Sequence, residues 1–499
     1  MKRTVRVFLL LALSLLVLIG MAACGEVEEK PEEVTELTLV AQTAEDLAAL
    51  EQYPNLQKLD LTGSTCYAEI LSYVQAHPDV AVTYEVQIDG TRYPHTAEQL
   101  FLDDKSYDYD QLLERLVYLP SVTKVELLKT TLTNEQLTAL IEKYPNIAIT
   151  YSVEVQGQEY APDTTQLDLS AVDPSLIDEV AAEASRLTKL TDVYLMKADG
   201  SSAYSKADVK KLMDALPGVM VHYTFQLFGK TITTADERVE YVKVSIGNEG
   251  VPQIREALDI LPKCTYFKLD RCDIDDLTME KLRDDYPNTK IVWRIFFAFY
   301  NCLTDTEVLR CIRSLDDENV VPLKYCTDVK YMDFGHNEGL KNFDFLNYMP
   351  KLEIVIVVDS DIDTLEYFGK CENLQWLEIV NCQRLTDLSP LANCKKLKGL
   401  NIAVNPKLTD VSPLYDLDQM ERLFLGDKHL SKEHLAEIRE NLPNTWVTQA
   451  RRSTKMVSYN YSYGWRLNED GSRADWYLFV RDIFRYDDNY FNHYNNDGQ

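Results

Sequence analysis

The sequence is short of positive charge. Lysine and arginine total 51 against 80 aspartates and glutamates, a formal charge of −29 over 499 residues. That balance argues against nucleic acid, cell-wall polyanions and anionic lipid head groups as broad-surface partners. Catalytic signatures are missing as well. There is no nucleophile elbow, no H-E-x-x-H, no phosphate loop and no calcium loop. No C-x-x-C pair occurs, which counts against a zinc knuckle. The seven histidines are scattered, and His429 and His434 are five apart, a poor spacing for one helical face. Acid pairs at 103–104, 275–276, 284–285 and 316–317 read as coating of helices and turns. No cofactor or metal is implied, and no enzymatic activity is expected. What is present is a globular composition, 45% apolar and 10% aromatic, too apolar for a disordered chain.

The N-terminus reads as an address. Lys2, Arg3 and Arg6 precede an apolar run over 8–19, and small residues follow, the pattern of a secretory signal peptide over 1–23. Met21-Ala22-Ala23-Cys24-Gly25 resembles a bacterial lipobox, with Met21 where leucine is usual. The resemblance implies cleavage before Cys24 and a diacylglycerol on its sulfur. Cleavage removes three positive charges and no negative ones, so −29 deepens to −32. Residues 24–36, with six glutamates and Pro31, read as an extended acidic tether rather than a helical turn.

The body is repetitive. QYPNLQKLDL, YLPSVTKVELL, LTKLTDVYLM and LPKCTYFKLD share one apolar pattern from Leu56, Val122, Leu190 and Cys264. A second phrase recurs at Pro78, Pro145, Pro217 and Pro287, spaced by 67, 72 and 70 residues. Four units of about 70 residues therefore cover 37–321. Within each, a stretch of helical spacing such as NEQLTALIEK ends at the proline. Strict alternation follows, as in Ile147, Ile149, Tyr151, Val153 and Val155, which predicts a strand with one buried face. Asp89-Gly90, Gln156-Gly157 and Phe228-Gly229 predict hairpin turns. A third strand is expected at QLFLDD, QLDLS and VKVS.

From about residue 322 to 447 the period shortens. Strand anchors fall at Val329, Leu352, Leu374, Leu397 and Met420, spaced by 22 or 23 residues. The text LTDLSPLANCKKLKGLNIAVNPKLTDVSPL carries L-x-x-L-x-L-x-x-N and resembles a leucine-rich repeat of the bacterial internalin variety. The resemblance implies an α/β leucine-rich-repeat solenoid, with elongated ~70-residue β/α units followed by 22-23-residue repeats. The asparagine position, which in such repeats satisfies backbone groups after each strand, is filled by Asn337, Ser360, Cys382, Asn405 and Lys428. In the earlier units it is Ser64, Thr130, Ala198 and Cys272. Ala198 and Lys428 depart from the pattern, so those turns are expected to be irregular. Cys326, Cys371 and Cys394 lie three residues before an anchor, Cys264 is an anchor, and Cys272 and Cys382 are ladder positions. All six are expected in the core as free thiols. Many unpaired thiols in an exported chain suggest a reducing or anaerobic habitat.

Between core leucines, side chains point out of the strand face. The early units place Lys58, Asp60, Lys124, Glu126, Lys268 and Asp270 there. The later repeats place Tyr331, Ile354, Ile356, Val358, Trp376, Glu378, Val380 and Phe424 there, a contiguous, largely apolar surface expected to bind a ligand. Residues 448–499 break the repeat and hold twelve aromatics with seven basic and seven acidic residues. ADWYLFVRDIF has helical spacing and is expected to cap the last repeat. Alternatively, this tail lies over the strand face and closes the site, or it presents an aromatic surface of its own.

The whole pattern, with Gly464-Trp465-Arg466 in the tail, resembles leucine-rich-repeat surface lipoproteins of Firmicutes. That implies an anchor on the extracellular face of the bacterial cell membrane through lipid alone, and no catalytic residues. The expected partner is an extracellular protein or peptide. A glycan stacking on Trp376, Trp465 and Trp476 is the alternative.

Overall fold

The computed structural model describes residues 5–6, 30–102, 107–426, 430–449 and 465–487. The chain forms two compact units, Met1–Thr224 and Phe225–Gln499. Cys24 and nearly all of the expected signal peptide lie outside the described residues. Val5–Arg6 pairs in parallel with the strand Glu36–Thr38. The expected tether is partly described. The described part makes one 3-10 turn at Pro31–Glu33 between extended backbone at Lys30 and Val34, then enters the strand Glu36–Thr38; proline is tolerated in a first helical turn, where its missing N–H is not needed.

In the N-terminal unit, parallel strands come in threes. Glu36–Thr38, Lys58–Asp60 and Ala81–Thr83 pair in order, as do Gln99–Leu102, Lys124–Leu127 and Ala148–Tyr151, and Gln166–Asp168, Asp192–Tyr194 and Met220–His222. Alternation decides the faces: Val125 and Leu127 are buried while Lys124 and Glu126 look out. Each third strand runs on into a hairpin, Glu85–Ile88 with Thr91–Pro94 and Val153–Val155 with Gln158–Tyr160. Asp89-Gly90 and Gln156-Gly157 both take positive φ there, the backbone of a type I′ turn. The step from a third strand to the next first strand, 81 to 99 and 148 to 166, is 18 residues. Each 70-residue phrase thus contains three strands with a hairpin in place of a helical return. The expected third strands at QLFLDD and QLDLS are the first strands of the following trio, whereas VKVS is misplaced: the strand is Arg238–Val242, and Lys243 leaves it with positive φ.

Helices return the chain between strands. Tyr67–Ala76, Asn134–Lys143 and Lys206–Ala215 match the helical stretches read from sequence. Capping boxes start the last two, Thr133 with Gln136 and Ser205 with Asp208. Leu137, Leu140, Val209 and Leu212 bury one face. Ala198 is exposed in a loose turn closed by Gly200, as its departure from the ladder predicts.

The C-terminal unit repeats the trio once, with Arg238–Val242, Tyr266–Asp270 and Lys290–Phe297. A seven-stranded parallel sheet follows: Val308–Arg310, Tyr331–Asp333, Ile354–Val358, Trp376–Val380, Gly399–Asn401, Arg422–Phe424 and Trp446–Thr448, paired in sequence order. Successive starts are 22 to 24 residues apart. The returns here are mostly short 3-10 turns such as Ser389–Asn393 and Ser412–Leu414. The T-D-x-S-P-L phrase builds them: Asp387 and Asp410 accept the N–H of Ser389 and Ser412, each at 2.8 Å, and proline follows in the first turn. The anchors Val329, Leu352, Leu374, Leu397 and Met420 are buried. Asn337 donates to the carbonyls of Cys311 and Phe334 and accepts from Leu315 N. Asn405 bridges Cys382 N and the Ile379 carbonyl, each at 2.7 Å. Ser360 caps the Leu340 carbonyl. Lys428 lies outside the described residues. The nine described cysteines are free and buried, and Cys302 and Cys326 bring their sulfurs to 3.7 Å.

Candidate functional site

The strand face of the seven-stranded sheet carries two rows in register. One is Val308, Tyr331, Ile354, Trp376, Gly399, Arg422 and Trp446. The other is Arg310, Asp333, Ile356, Glu378, Asn401, Phe424 and Thr448. Val358 and Val380 extend the middle strands. Every side chain expected to form a ligand surface is on this face. They are not, however, an open surface.

The tail covers them. Residues 465–474 form a turn closed by the bridge of Leu467 to Arg473, and Asp475–Ile483 is a helix. Its buried residues Trp476, Tyr477 and Val480, followed by Phe484, share one helical face. They pack with Ile354, Ile356, Val380, Ala403 and Phe424 as one core, with Tyr331, Val358 and Trp376 at its margin. The expectation of a cap at the end of the array is therefore corrected for the described part of the tail. An aromatic segment finds more apolar area on a row of Ile, Val and Trp than on a single repeat edge. The glycan platform is corrected by the same packing. Trp376 stacks on Trp476 at 4.8 Å, and Trp465 lies 4.5 Å from Trp476. Trp465 and Trp476 are buried, so the rings are spent on one another. Gly399 makes room for this stack. A Cβ there would sit 2.1 Å from a Trp376 ring carbon.

Charge is buried under the tail as well. Tyr486 donates to Asp333 at 2.8 Å, and Arg310 donates to the Phe484 carbonyl at 2.9 Å while its guanidinium lies 5.0 Å from the Tyr486 ring centre. Arg422 reaches the carbonyls of Trp465 and Leu467 at 3.4 and 3.3 Å and pairs with Asn468. Asn401 donates to Glu378 at 3.3 Å. Burial pushes the carboxyls of Asp333 and Glu378 above their ordinary range, against the pull of Tyr486 and Arg310 on the first and Arg466 on the second. Burial likewise pushes the Tyr486 hydroxyl well up. Satisfaction is incomplete. Arg310 Nε, Trp465 Nε1 and Arg466 Nε have no hydrogen-bond partner of good geometry, although Arg310 Nε lies 3.9 Å from Asp333 and Trp465 and Arg466 sit beside Glu378. Sequence reading missed Arg310 and the tail arginine as site residues. The available signal was the charge balance of the tail against an acidic body.

In the N-terminal unit the strand faces stay open. Phe101, 56% exposed, lines up with Glu126 and Thr150. Asp168 lines up with Tyr194 and His222, whose rings stack at 4.5 Å, and His222 Nε2 lies 2.6 Å from Asp192. No three His, Cys, Asp or Glu among the described residues gather to hold a metal ion. No helix among them is long and apolar enough to cross a membrane.

Comparison with known proteins gives one family match: residues 372–432 fit leucine-rich repeats, two copies. No curated protein matches the chain. Among solved structures, an internalin C2 from Listeria monocytogenes aligns at 19% identity, covering 56% of this chain and 93% of its own, with a TM-score of 0.25. A second internalin from that organism aligns at 14% identity over 86% and 85%, with a TM-score of 0.24. A leucine-rich-repeat protein of Leptospira interrogans aligns at 14% identity over 84% and 96%, also at 0.24. The two-copy match spans the Trp376–Val380, Gly399–Asn401 and Arg422–Phe424 strands, so the middle of the covered face is built on leucine-rich repeats.

Proposed function

We propose that this chain is a non-enzymatic surface lipoprotein of a Firmicutes bacterium, held by a lipid on Cys24 at the outer face of the cell membrane. Its repeats form a solenoid, and their strand faces bind protein or peptide, for adhesion or for scaffolding at the envelope. One observation carries the reading. The strand face of the C-terminal sheet already holds a polypeptide segment, 465–487, with contacts on strands from Val308–Arg310 to Arg422–Phe424. Rows of outward side chains in register suit a polypeptide, since a partner gains apolar contact and hydrogen bonds from successive strands. The open rows at Phe101 and Asp168 offer the same geometry with more polar chemistry. The stacked tryptophans give a glycan no free ring, so the polypeptide reading is preferred.

The test is photo-crosslinking on intact cells. A photoreactive residue placed at Phe101 or Asp168 is expected to give discrete protein adducts, and one placed at Glu142 on the exposed side of a helix is not. Equal adducts from both sides, or none from the strand face, would overturn the reading.

A further inference from the structure

The tail has the properties of a docked ligand. The sheet beneath it is complete on its own other side, where Val355, Leu377, Leu400 and Leu423 are fully buried. The tail therefore adds to a finished sheet. Its contacts are part apolar and part charged, with Asp333 and Glu378 desolvated beneath it. Among the described residues five buried side-chain atoms lack a hydrogen bond of good geometry, and three of them lie in this one contact: Arg310 Nε, 3.9 Å from Asp333, and Trp465 Nε1 and Arg466 Nε, which face Glu378. A buried donor held at poor geometry recovers less of its desolvation than one in a matched interface.

We propose that segment 465–487 is a built-in occupant of this face, displaced by a partner polypeptide that presents a pair of indole rings and an arginine. This rests on the polypeptide-binding reading above and adds its specificity and its gate. The two rings would take the places of Trp465 and Trp476 over Trp376, Ile354 and Ile356. The arginine would take the place of Arg466 beside Glu378. The acidity of the body favours a partner segment that carries positive charge. Covalent attachment gives the tail a high effective concentration, which excludes weak competitors. Its poorly aligned nitrogens leave room for a better-matched segment to win.

The experiment uses the full chain with a protease site inserted within 450–464 and a fluorescent synthetic peptide of residues 465–487 as the probe. The uncut chain is expected to exclude the peptide. The cut chain is expected to exchange its own tail for it while keeping its cooperative unfolding transition. Peptides carrying Trp476→Ala or Arg466→Ala are expected to bind about thirtyfold more weakly, the loss typical of truncating a central Trp or Arg. Three results would overturn the proposal. These are retention by the cut chain of its own tail against a large excess of peptide, loss of its cooperative unfolding, and uptake of the altered peptides as well as the native one. Crosslinks from Phe101 and Asp168 are read separately, so failure of the gate is distinguishable from failure of the binding function.

Discussion

Glu378 shows what a single residue contributes on this face. Its carboxyl is buried beside Asn401, Trp465 and Arg466, and burial outweighs their help, so it holds a proton more readily than an ordinary glutamate. Asp333, facing Tyr486, Arg310 and the Gly335 N–H, is shifted the same way. A raised carboxyl takes up protons on folding, so its stabilising contribution is fully present below the ordinary carboxylate pKa, about 4, and is lost as pH rises through the folded value. Surface carboxylates such as Asp387 and Asp410 run the other way. Hydrogen bonds from Ser389 and Ser412 lower them, so their contribution is present above the ordinary value and is lost as pH falls. As pH falls toward the ordinary carboxylate range, the buried pair takes up protons in the folded chain before it does in the unfolded one. Unfolding of the native chain is expected to become harder over that fall in pH, and Glu378→Gln should flatten the trend. Denaturant midpoints at a series of pH values would check it, and an unchanged slope in the variant would remove Glu378 from the account.

At the scale of elements, the tail helix and the strand beneath meet through one missing side chain. Gly399 lies in a strand, where glycine is a poor choice on entropy alone. It is there because Trp376 leans across it. Gly399→Ala is expected to push the ring off its stack with Trp476 and to cost about 1–3 kcal/mol, the range for overpacking a filled core. Urea unfolding would measure the loss, and tryptophan emission would report the displaced stack. Full stability with unchanged emission would mean that the ring has another place to go. The strand itself was legible in the sequence, because L-x-x-L-x-L alternation is local. So were the helices that end at Pro78, Pro145, Pro217 and Pro287, and the Asp-Gly, Gln-Gly and Phe-Gly hairpins. Shorter returns such as Ala44–Ala48 and Tyr109–Arg115 passed unnoticed, since five to seven residues give periodicity little to act on. The fourth hairpin, Lys290–Phe297 with Tyr300–Leu303, turns at Ala298 with positive φ and no glycine, so no turn signal marked it. The docking of the tail was written in no local pattern. Tyr486 meets Asp333 across 153 positions and Arg310 meets Phe484 across 174. Alternation identified the face, and only packing identified its occupant.

At the scale of the whole molecule, the cysteines connect the fold to the proposed address. The sequence holds ten. Nine are described, and all nine are free and buried. Burial pushes Cys371 and Cys382 up to about 12 and Cys394 up to about 11, and it drives Cys311 up with them. A thiol reacts as its thiolate, so these sites should resist alkylation at neutral pH while the chain is folded. Unfolding removes that protection and restores ordinary reactivity. The remaining cysteine, Cys24, follows different rules. If its sulfur carries the diacylglycerol, it stays unreactive in both states. On the proposed anchor, the native chain is therefore expected to give almost no rapid alkylation when folded and nine adducts when unfolded without reductant. Cys24→Ser should leave that nine unchanged while the chain moves from the detergent phase to the aqueous phase. A count of ten would show an unmodified Cys24 and defeat the lipid anchor. A count of seven, restored to nine by reductant, would mean that two core thiols are oxidised in the native protein. The Cys302 and Cys326 pair, with its sulfurs at 3.7 Å, is the pair placed to do so. Nine without reductant keeps the core as the repeat register built it, with cysteine packed where other turns use leucine or methionine.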